Sequence, residues 1–352
     1  MGTVEIYVKL AERPNTSRSY ASAVQHFEVD GRGSLPATSE AIAAYLAQYA
    51  ESLSINTLRA RLAGLSRWHR DHGFVDPTKS PLVSRVLKGI RSAHNTPSKQ
   101  ARPIEFDLLE QVSNWLETEL DLSAPSEPDH VRNARDRAML LIGFWRGFRS
   151  DELTRLRFEH VSIEEGVGMN CFLPYSKSDR ESAGRTFFCP ALSKLCPVEA
   201  FQQWQKTTGL TTGPVFRRID QWGHISDRGM APGSVVSWLR ALFHAAGVPD
   251  AGTFSSHSLR RGFANWAKSS GWDLKELMSY VGWRDFNSAL RYLELSNESV
   301  SVRFERGLAS SPSSDRAGLT PIRSQSRTKR SRSDSAPPSR SNVVTLHKRP
   351  SK

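Results

Sequence analysis

Residues 257–292 read HSLRRGFANWAKSSGWDLKELMSYVGWRDFNSALRY. Helical apolar spacing runs through this stretch in three pieces, Leu259–Ser269, Asp273–Val281 and a last one from Asn287 to Leu295. His257 and Arg260 stand at i, i+3, a spacing that puts both on one helical face. Arg261 is the neighbouring rival for that place, but it points from a different side of the helix. The pair Gly282-Trp283 follows, and then Ala289-Leu290-Arg291-Tyr292. A helical region that brings a histidine, an arginine, a tryptophan and a tyrosine into one short span sets the frame for everything upstream.

Two further stretches belong with it. Gly147-Phe148-Arg149-Ser150-Asp151-Glu152-Leu153 ends an apolar helix expected over Val131–Trp145. Tyr175-Ser176-Lys177-Ser178-Asp179 sits in a turn between two strand-like runs, Cys171–Pro174 and Arg185–Cys189. Each stretch alone is ordinary: an arginine at a helix end, a lysine in a hairpin and a half-buried tyrosine are commonplace surface and packing features. Together they fill every role in phosphoryl transfer at a nucleic acid. Guanidinium groups hold non-bridging phosphate oxygens through paired, charge-assisted hydrogen bonds and stabilise the charge of the transition state. A tyrosine hydroxyl, with an ordinary pKa of about 10, is a weak nucleophile that needs a base or a positive field beside it. Histidine suits that task, and a hairpin lysine can protonate a departing oxygen.

The set Arg149, Lys177, His257, Arg260, Trp283 and Tyr292 resembles the active-site signature of the tyrosine recombinase (phage integrase) family. The pair before the tyrosine is Gly-Trp here, where many members have Gly-His. The likeness extends over roughly residues 15–308, including the Lys99-Gln100-Ala101 stretch. It implies a catalytic tyrosine, Tyr292, that attacks the scissile phosphate and forms a 3′-phosphotyrosyl bond. Arg149 and Arg260 would grip the phosphate, Lys177 would protonate the leaving 5′ oxygen, and His257 would assist proton transfer at the tyrosine. Trp283 would donate its indole N–H to a phosphate oxygen, and Glu152 would hold the site by hydrogen bonding. Ester is exchanged for ester, so no cofactor and no metal are implied. Double-stranded DNA is the expected partner, with a homotetramer assembled on paired sites. Tyr280 precedes Gly282-Trp283 and is read as packing. Three other readings compete: a DNA-binding regulator that lost catalysis, a type IB topoisomerase-like relaxing enzyme and a protelomerase. All six signature residues are present, which disfavours the first, and the family-like N-terminal helices disfavour the second.

The expected fold is mainly α, with an all-helical N-terminal core-binding domain and a mostly helical catalytic domain carrying a small antiparallel sheet. The N-terminal domain is read over 1–95. Helical runs are expected at Ser17–Phe27, from Ser39 to about Glu51, from about Asn56 to His72, and after Ser80-Pro81, which reads as cap and first helical residue. Leu58, Leu62, Leu65 and Trp68 recur at helical spacing in the third, and Val83, Val86, Leu87 and Ile90 in the fourth. The other sides of these two helices carry Arg59, Arg61, Arg67 and Arg70, then Arg85, Lys88 and Arg91, candidate phosphate contacts. Residues 96–104 read as a polar linker, with Lys99 a further candidate contact. Residues 105–308 form the expected catalytic domain, with helices near Glu105–Leu120, Pro197–Lys206 and Gly233–Ala246 besides those named.

The 352 residues suffice for two domains, and the net charge of +12 favours an anionic partner. From Ala309 onward ten Lys or Arg meet two Asp, a net of 10 − 2 = +8, which leaves 12 − 8 = +4 for the rest. Residues 309–352 are therefore expected to be a disordered basic tail, too poor in large apolar groups to offset ordering entropy. No run of about 18 apolar residues and no apolar leader core are found, so a cytoplasmic, DNA-associated protein without a membrane span is expected. Cys171, Cys189 and Cys196 lack the close spacing of a metal site and are read as free thiols.

Overall fold

The computed structural model describes residues 14–94, 100–175, 183–283, 285–290 and 292. Lys99, Lys177, the tail from Ala309 and the residues between Tyr292 and that tail lie outside this set.

The N-terminal part is helical throughout. Helix α1 spans Pro14–Gln25 and passes into a wider π-helical turn, His26–Asp30; α2 spans Ser39–Gln48, α3 Ile55–Asp71 and α4 Pro81–Ala93. Side-chain oxygens cap three of these helices: Thr38 Oγ1 accepts from the Ala41 amide, Ser54 Oγ from Thr57 and Ser80 Oγ from Val83. Each satisfies an amide that the first helical turn leaves without a partner. Phe27, Ile42, Leu46, Leu58, Leu65 and Val83 close into one apolar cluster. The first helix was expected over Ser17–Phe27. It starts earlier and widens before Phe27, whose ring is fully buried and anchors the turn. Buried His69 donates from Nδ1 to the Leu65 carbonyl and accepts the Ala37 amide at Nε2, tying α3 to the chain that leads into α2.

A second apolar cluster forms from Ile104 onward. Helix α5 (Phe106–Leu122) and α6 (Pro128–Trp145) lead into the short α7 (Ser150–Thr154). Helix α6 is buried nearly all round from Ala138 to Trp145, as a central helix must be. Strands β1 (Val161–Glu164), β2 (Gly168–Leu173) and β3 (Arg185–Pro190) form an antiparallel sheet in sequence order, with Met169 opposite Cys189 and Cys171 opposite Phe187. Met169, Cys171 and Leu173 alternate inward and meet Phe187 and Cys189 on the same buried face. Helix α8 (Pro197–Thr208) packs on α6. A hairpin follows, β4 (Arg217–Ile219) and β5 (Ile225–Gly229), which the sequence pattern did not announce. Helices α9 (Ser234–Ala245), α10 (Ser256–Ser269), α11 (Leu274–Val281) and α12 (Phe286–Leu290) complete the fold. The mainly helical class with a small antiparallel sheet holds. Helix α10 begins three residues before the expected Leu259, so His257 and Arg260 both lie within it.

Candidate active site

Helix α6 ends at Trp145, and Gly147 reverses the chain at φ +55°, a conformation that costs glycine little and other residues more. This turn delivers Arg149 to the N-terminus of α7. The Arg149 amide donates to Glu152 Oε2 at 3.0 Å, and its Nη1 donates to Glu152 Oε1 at 2.6 Å. The carboxylate thus satisfies a free amide of the first helical turn and fixes the direction of the guanidinium.

Helix α10 presents the next pair. Ser255 caps it by accepting the His257 amide, while its own amide donates to Ser258 Oγ. Arg260 is 1% exposed. Its Nη1 donates to the Gly147 carbonyl at 2.6 Å and its Nη2 to the Val281 carbonyl at 3.3 Å; Nη1 also lies 3.8 Å from Glu152 Oε2. Arg261, the sequence neighbour weighed against it, turns away to hydrogen-bond Gln100.

The last two members come from the chain after α11. Gly282 ends that helix at φ +78°, and the Gly282 and Trp283 amides both donate to the Met278 carbonyl. The Trp283 indole stacks on the Tyr292 ring, centroids 5.2 Å apart and planes 25° from parallel. The Arg260 guanidinium lies 5.1 Å from the Trp283 centroid and 5.6 Å from that of Tyr292. Tyr292 Oη and His257 Nδ1 are 3.0 Å apart, within hydrogen-bond reach. Arg149, Glu152, His257, Arg260, Trp283 and Tyr292 therefore converge. Lys177 lies outside the described residues; its hairpin is registered at the base by the pairing of Leu173 with Arg185.

Positive charge dominates this site. Burial, and then the nearby Arg149 guanidinium, push Arg260 down to about 9, with Glu152 acting in the opposite sense. Arg146 adds a third guanidinium that acts on Arg260. Among the described residues, the buried Trp283 Nε1–H and Arg260 Nε–H have no hydrogen-bond partner. Buried polar groups are normally paired, so two such donors beside an excess of guanidinium groups suit an anionic acceptor. Tyr280 is packed, as read from the sequence: burial pushes its phenol up to about 12, and its ring lies 3.9 Å from the Arg146 guanidinium.

The basic helical faces divide. On α3, Arg59 and Arg70 are exposed on a shared side, and Arg67 joins them while pairing with Asp71. Arg61, expected on the same face, lies on the other flank and donates to the Ser22 carbonyl and hydroxyl on α1. Two residues advance a helix by about 200°, which separates Arg61 from Arg59. On α4, Arg85, Lys88 and Arg91 are all exposed and follow at i, i+3 and i+6, opposite buried Val83 and Ile90.

Two residues bearing on the site were missed in the sequence: Arg146, which donates to the Tyr280 carbonyl, and Arg185, which donates to the Ser279 carbonyl. A faint signal existed for the first, an arginine directly after the apolar run Met139–Trp145.

Comparison with known proteins agrees with this geometry. The model of the phage integrase family matches residues 117–299. An integrase/recombinase XerD homologue of Selenomonas ruminantium is 27% identical over 292 residues, covering 80% of this chain and 82% of that protein. The recombinase Cre of Escherichia phage P1 is 25% identical over 283 residues, covering 76% and 78%. Among solved structures, XerH site-specific recombinase in a post-cleavage complex with a palindromic difH substrate superposes with a TM-score of 0.56 at 20% identity, covering 83% of this chain and 78% of that one. A lambda integrase dimer bound to a core site gives 0.55 at 16% identity, covering 84% and 76%; at these identities the likeness speaks for the fold.

Proposed function

We propose a reaction path for this chain from the premise that it belongs to the phage integrase family and is a tyrosine site-specific recombinase acting on DNA. Tyr292 Oη attacks the scissile phosphorus. A phosphotyrosyl bond forms at the 3′ side, the bond to the 5′ oxygen breaks, and that oxygen leaves with a proton. The tyrosine proton passes to His257, whose ring nitrogen stands 3.0 Å from the hydroxyl. Arg149 and Arg260 hold the non-bridging oxygens, with Glu152 setting the direction of the first. The Trp283 indole N–H, without a partner among the described residues, supplies a further donor to the phosphate. Lys177 is assigned the proton for the leaving oxygen on the family resemblance alone. A second strand end reverses the steps, so the energy of the broken ester is conserved in the covalent link.

The single observation that carries this reading is the contact between Tyr292 and His257 beside the buried Arg260 guanidinium, the partly exposed Arg149 guanidinium and one buried carboxylate. The exposed cations of α3 and α4 are assigned to the DNA backbone, with 1–95 as the core-binding domain, 96–104 as linker and 105–308 as catalytic domain; the two separate apolar clusters support this division. Lys99 and the tail, both outside the described residues, are assigned to phosphate contact by charge. Exchange between two duplexes needs four cuts, so four protomers on paired sites are proposed, joined through Val300, Phe304 and Leu308, also outside the described residues.

The test starts from a random pool of nicked duplexes, from which wild-type protein captures its own substrate as an adduct that survives denaturing gels. Tyr292→Phe is expected to bind the captured duplex with near wild-type affinity and form no adduct. Adduct formation by the Phe variant at the wild-type level would overturn the assignment. Relaxation of every supercoiled plasmid regardless of sequence would favour a topoisomerase-like activity instead.

A further inference from the structure

The carbonyls at the C-terminal end of α11 are held in an unusual way. The last turn of a helix leaves its carbonyl groups without intrahelical partners and concentrates partial negative charge there. Here three consecutive carbonyls are each claimed by an arginine from a different part of the chain. Arg185, first residue of β3, donates to Ser279 at 2.9 Å. Arg146, just past α6, donates to Tyr280 at 2.6 Å. Arg260, from α10, donates to Val281 at 3.3 Å.

The first two arginines are also bound to each other's surroundings. Both guanidinium groups lie over the Phe187 ring, Arg146 at 5.2 Å and Arg185 at 5.1 Å from its centroid. Arg146 is 3% exposed, so it does not serve as a surface cation. A Cβ added to Gly282 would collide with the Arg185 guanidinium, which shows how closely that side chain covers the helix end. Immediately after this end come Trp283 and the segment that carries Tyr292. Immediately before β3 lies the hairpin that carries Lys177.

We propose that Arg146 and Arg185 are positioning residues that clamp the end of α11 to the base of the β2–β3 hairpin, so that the nucleophile segment and the lysine hairpin are set against one anchor. This rests on the recombinase reading given above. The contacts described for the two residues run to the helix end and to the Phe187 ring, and each is taken to act through that helix end. Arg260 joins the two functions, because the guanidinium assigned to the phosphate also holds the third carbonyl. Loss of Arg146 or Arg185 therefore loosens Trp283 and Tyr292 through the helix end.

The test uses the full chain as Arg146→Met, Arg146→Lys and Arg185→Met. Amide hydrogen exchange is followed across residues 282–292 in the protein alone. Single-turnover cleavage is measured at saturating concentrations of a nicked duplex captured by wild-type protein, and affinity for the same duplex is measured separately. Exchange in 282–292 is expected to rise about tenfold or more in the Met variants, the scale of a lost charge-assisted hydrogen bond, while α5 and α8 stay unchanged. Cleavage at saturation should fall about tenfold or more with affinity altered less than about twofold. Arg146→Lys, which keeps one donor for the Tyr280 carbonyl, should recover part of the rate. Unchanged exchange in 282–292 overturns the clamp, as does loosening that spreads evenly through the domain with a fall in Tm. Should Arg146→Met fail to fold, Arg185→Met carries the test from a partly exposed position at a strand start. If wild-type protein captures no duplex, the recombinase reading fails, and the exchange measurements still decide the clamp.

Discussion

Glu152→Gln separates the charge of the site from its shape. The wild-type carboxylate accepts the Arg149 amide at 3.0 Å and Arg149 Nη1 at 2.6 Å, and stands 3.8 Å from Arg260 Nη1. The amide side chain fills the same space but keeps only one acceptor oxygen. If that oxygen stays on the Arg149 amide, the new NH2 faces the Arg149 guanidinium, donor against donor. A hydrogen bond to a charged group contributes about 1.5–3 kcal/mol, and breaking a fully buried pair costs about 3–5 kcal/mol. Glu152 is 3% exposed, but the Arg149 side chain keeps 24%, so water replaces part of the lost contact. A loss of about 2 kcal/mol follows, which for a domain of about 150–250 residues lowers Tm by about 4–8 °C. Thermal unfolding followed by circular dichroism gives the first number. Single-turnover cleavage gives the second, which should fall more than about tenfold because Arg149 loses its direction. A Tm within about 1 °C of wild type, together with normal cleavage, would show that Glu152 neither balances nor aims the arginines.

Arg149→Lys and Arg260→Lys should each lower the cleavage rate by about a hundredfold although charge is retained, since an ammonium cannot reproduce a planar two-pronged grip; near-normal rates in both would show that these arginines do not hold the phosphate. Burial pushes the Cys171 thiol up to about 12 and Cys189 well above its ordinary 9.0, so both should resist alkylation in native protein at pH 8 and react at once on unfolding. The folded state holds protons that the unfolded state releases, so stability is full below about pH 9 and declines as pH rises toward 12. Denaturant midpoints across that range check the slope, and a rise in stability would refute it.

Legibility in the sequence followed the range of the interactions. Ser80-Pro81 marked its helix start because a cap is local, and His257 and Arg260 shared a face because one helix carries both. The β4–β5 hairpin escaped notice because Arg217-Arg218-Ile219 and Ile225–Gly229 have no apolar alternation. Polar links hold it: Arg217 pairs with Asp227, and Arg135 donates to the Arg217 carbonyl. Arg61 was grouped with the wrong face because residue type was read without the full helical rotation. Arg146 and Arg185 bind carbonyls 134 and 94 residues away, and a backbone carbonyl leaves no mark on the residue type at its position.

Trp283 and Tyr292 are 292 − 283 = 9 residues apart, yet their rings stack at 5.2 Å. The intervening chain leaves the helix end and comes back to where it began, like a clasp fastened on itself. An aromatic contact of this kind is worth about 0.5–1.5 kcal/mol, and a partly exposed hydrogen bond such as that to His257 about the same. A clasp of about 2 kcal/mol holds closed by a factor of about 30. Its parts, Trp283, Tyr292 and His257, are all supplied by this chain. On the proposed reaction path, the remaining surface then has one task, to bring a single phosphate to Tyr292.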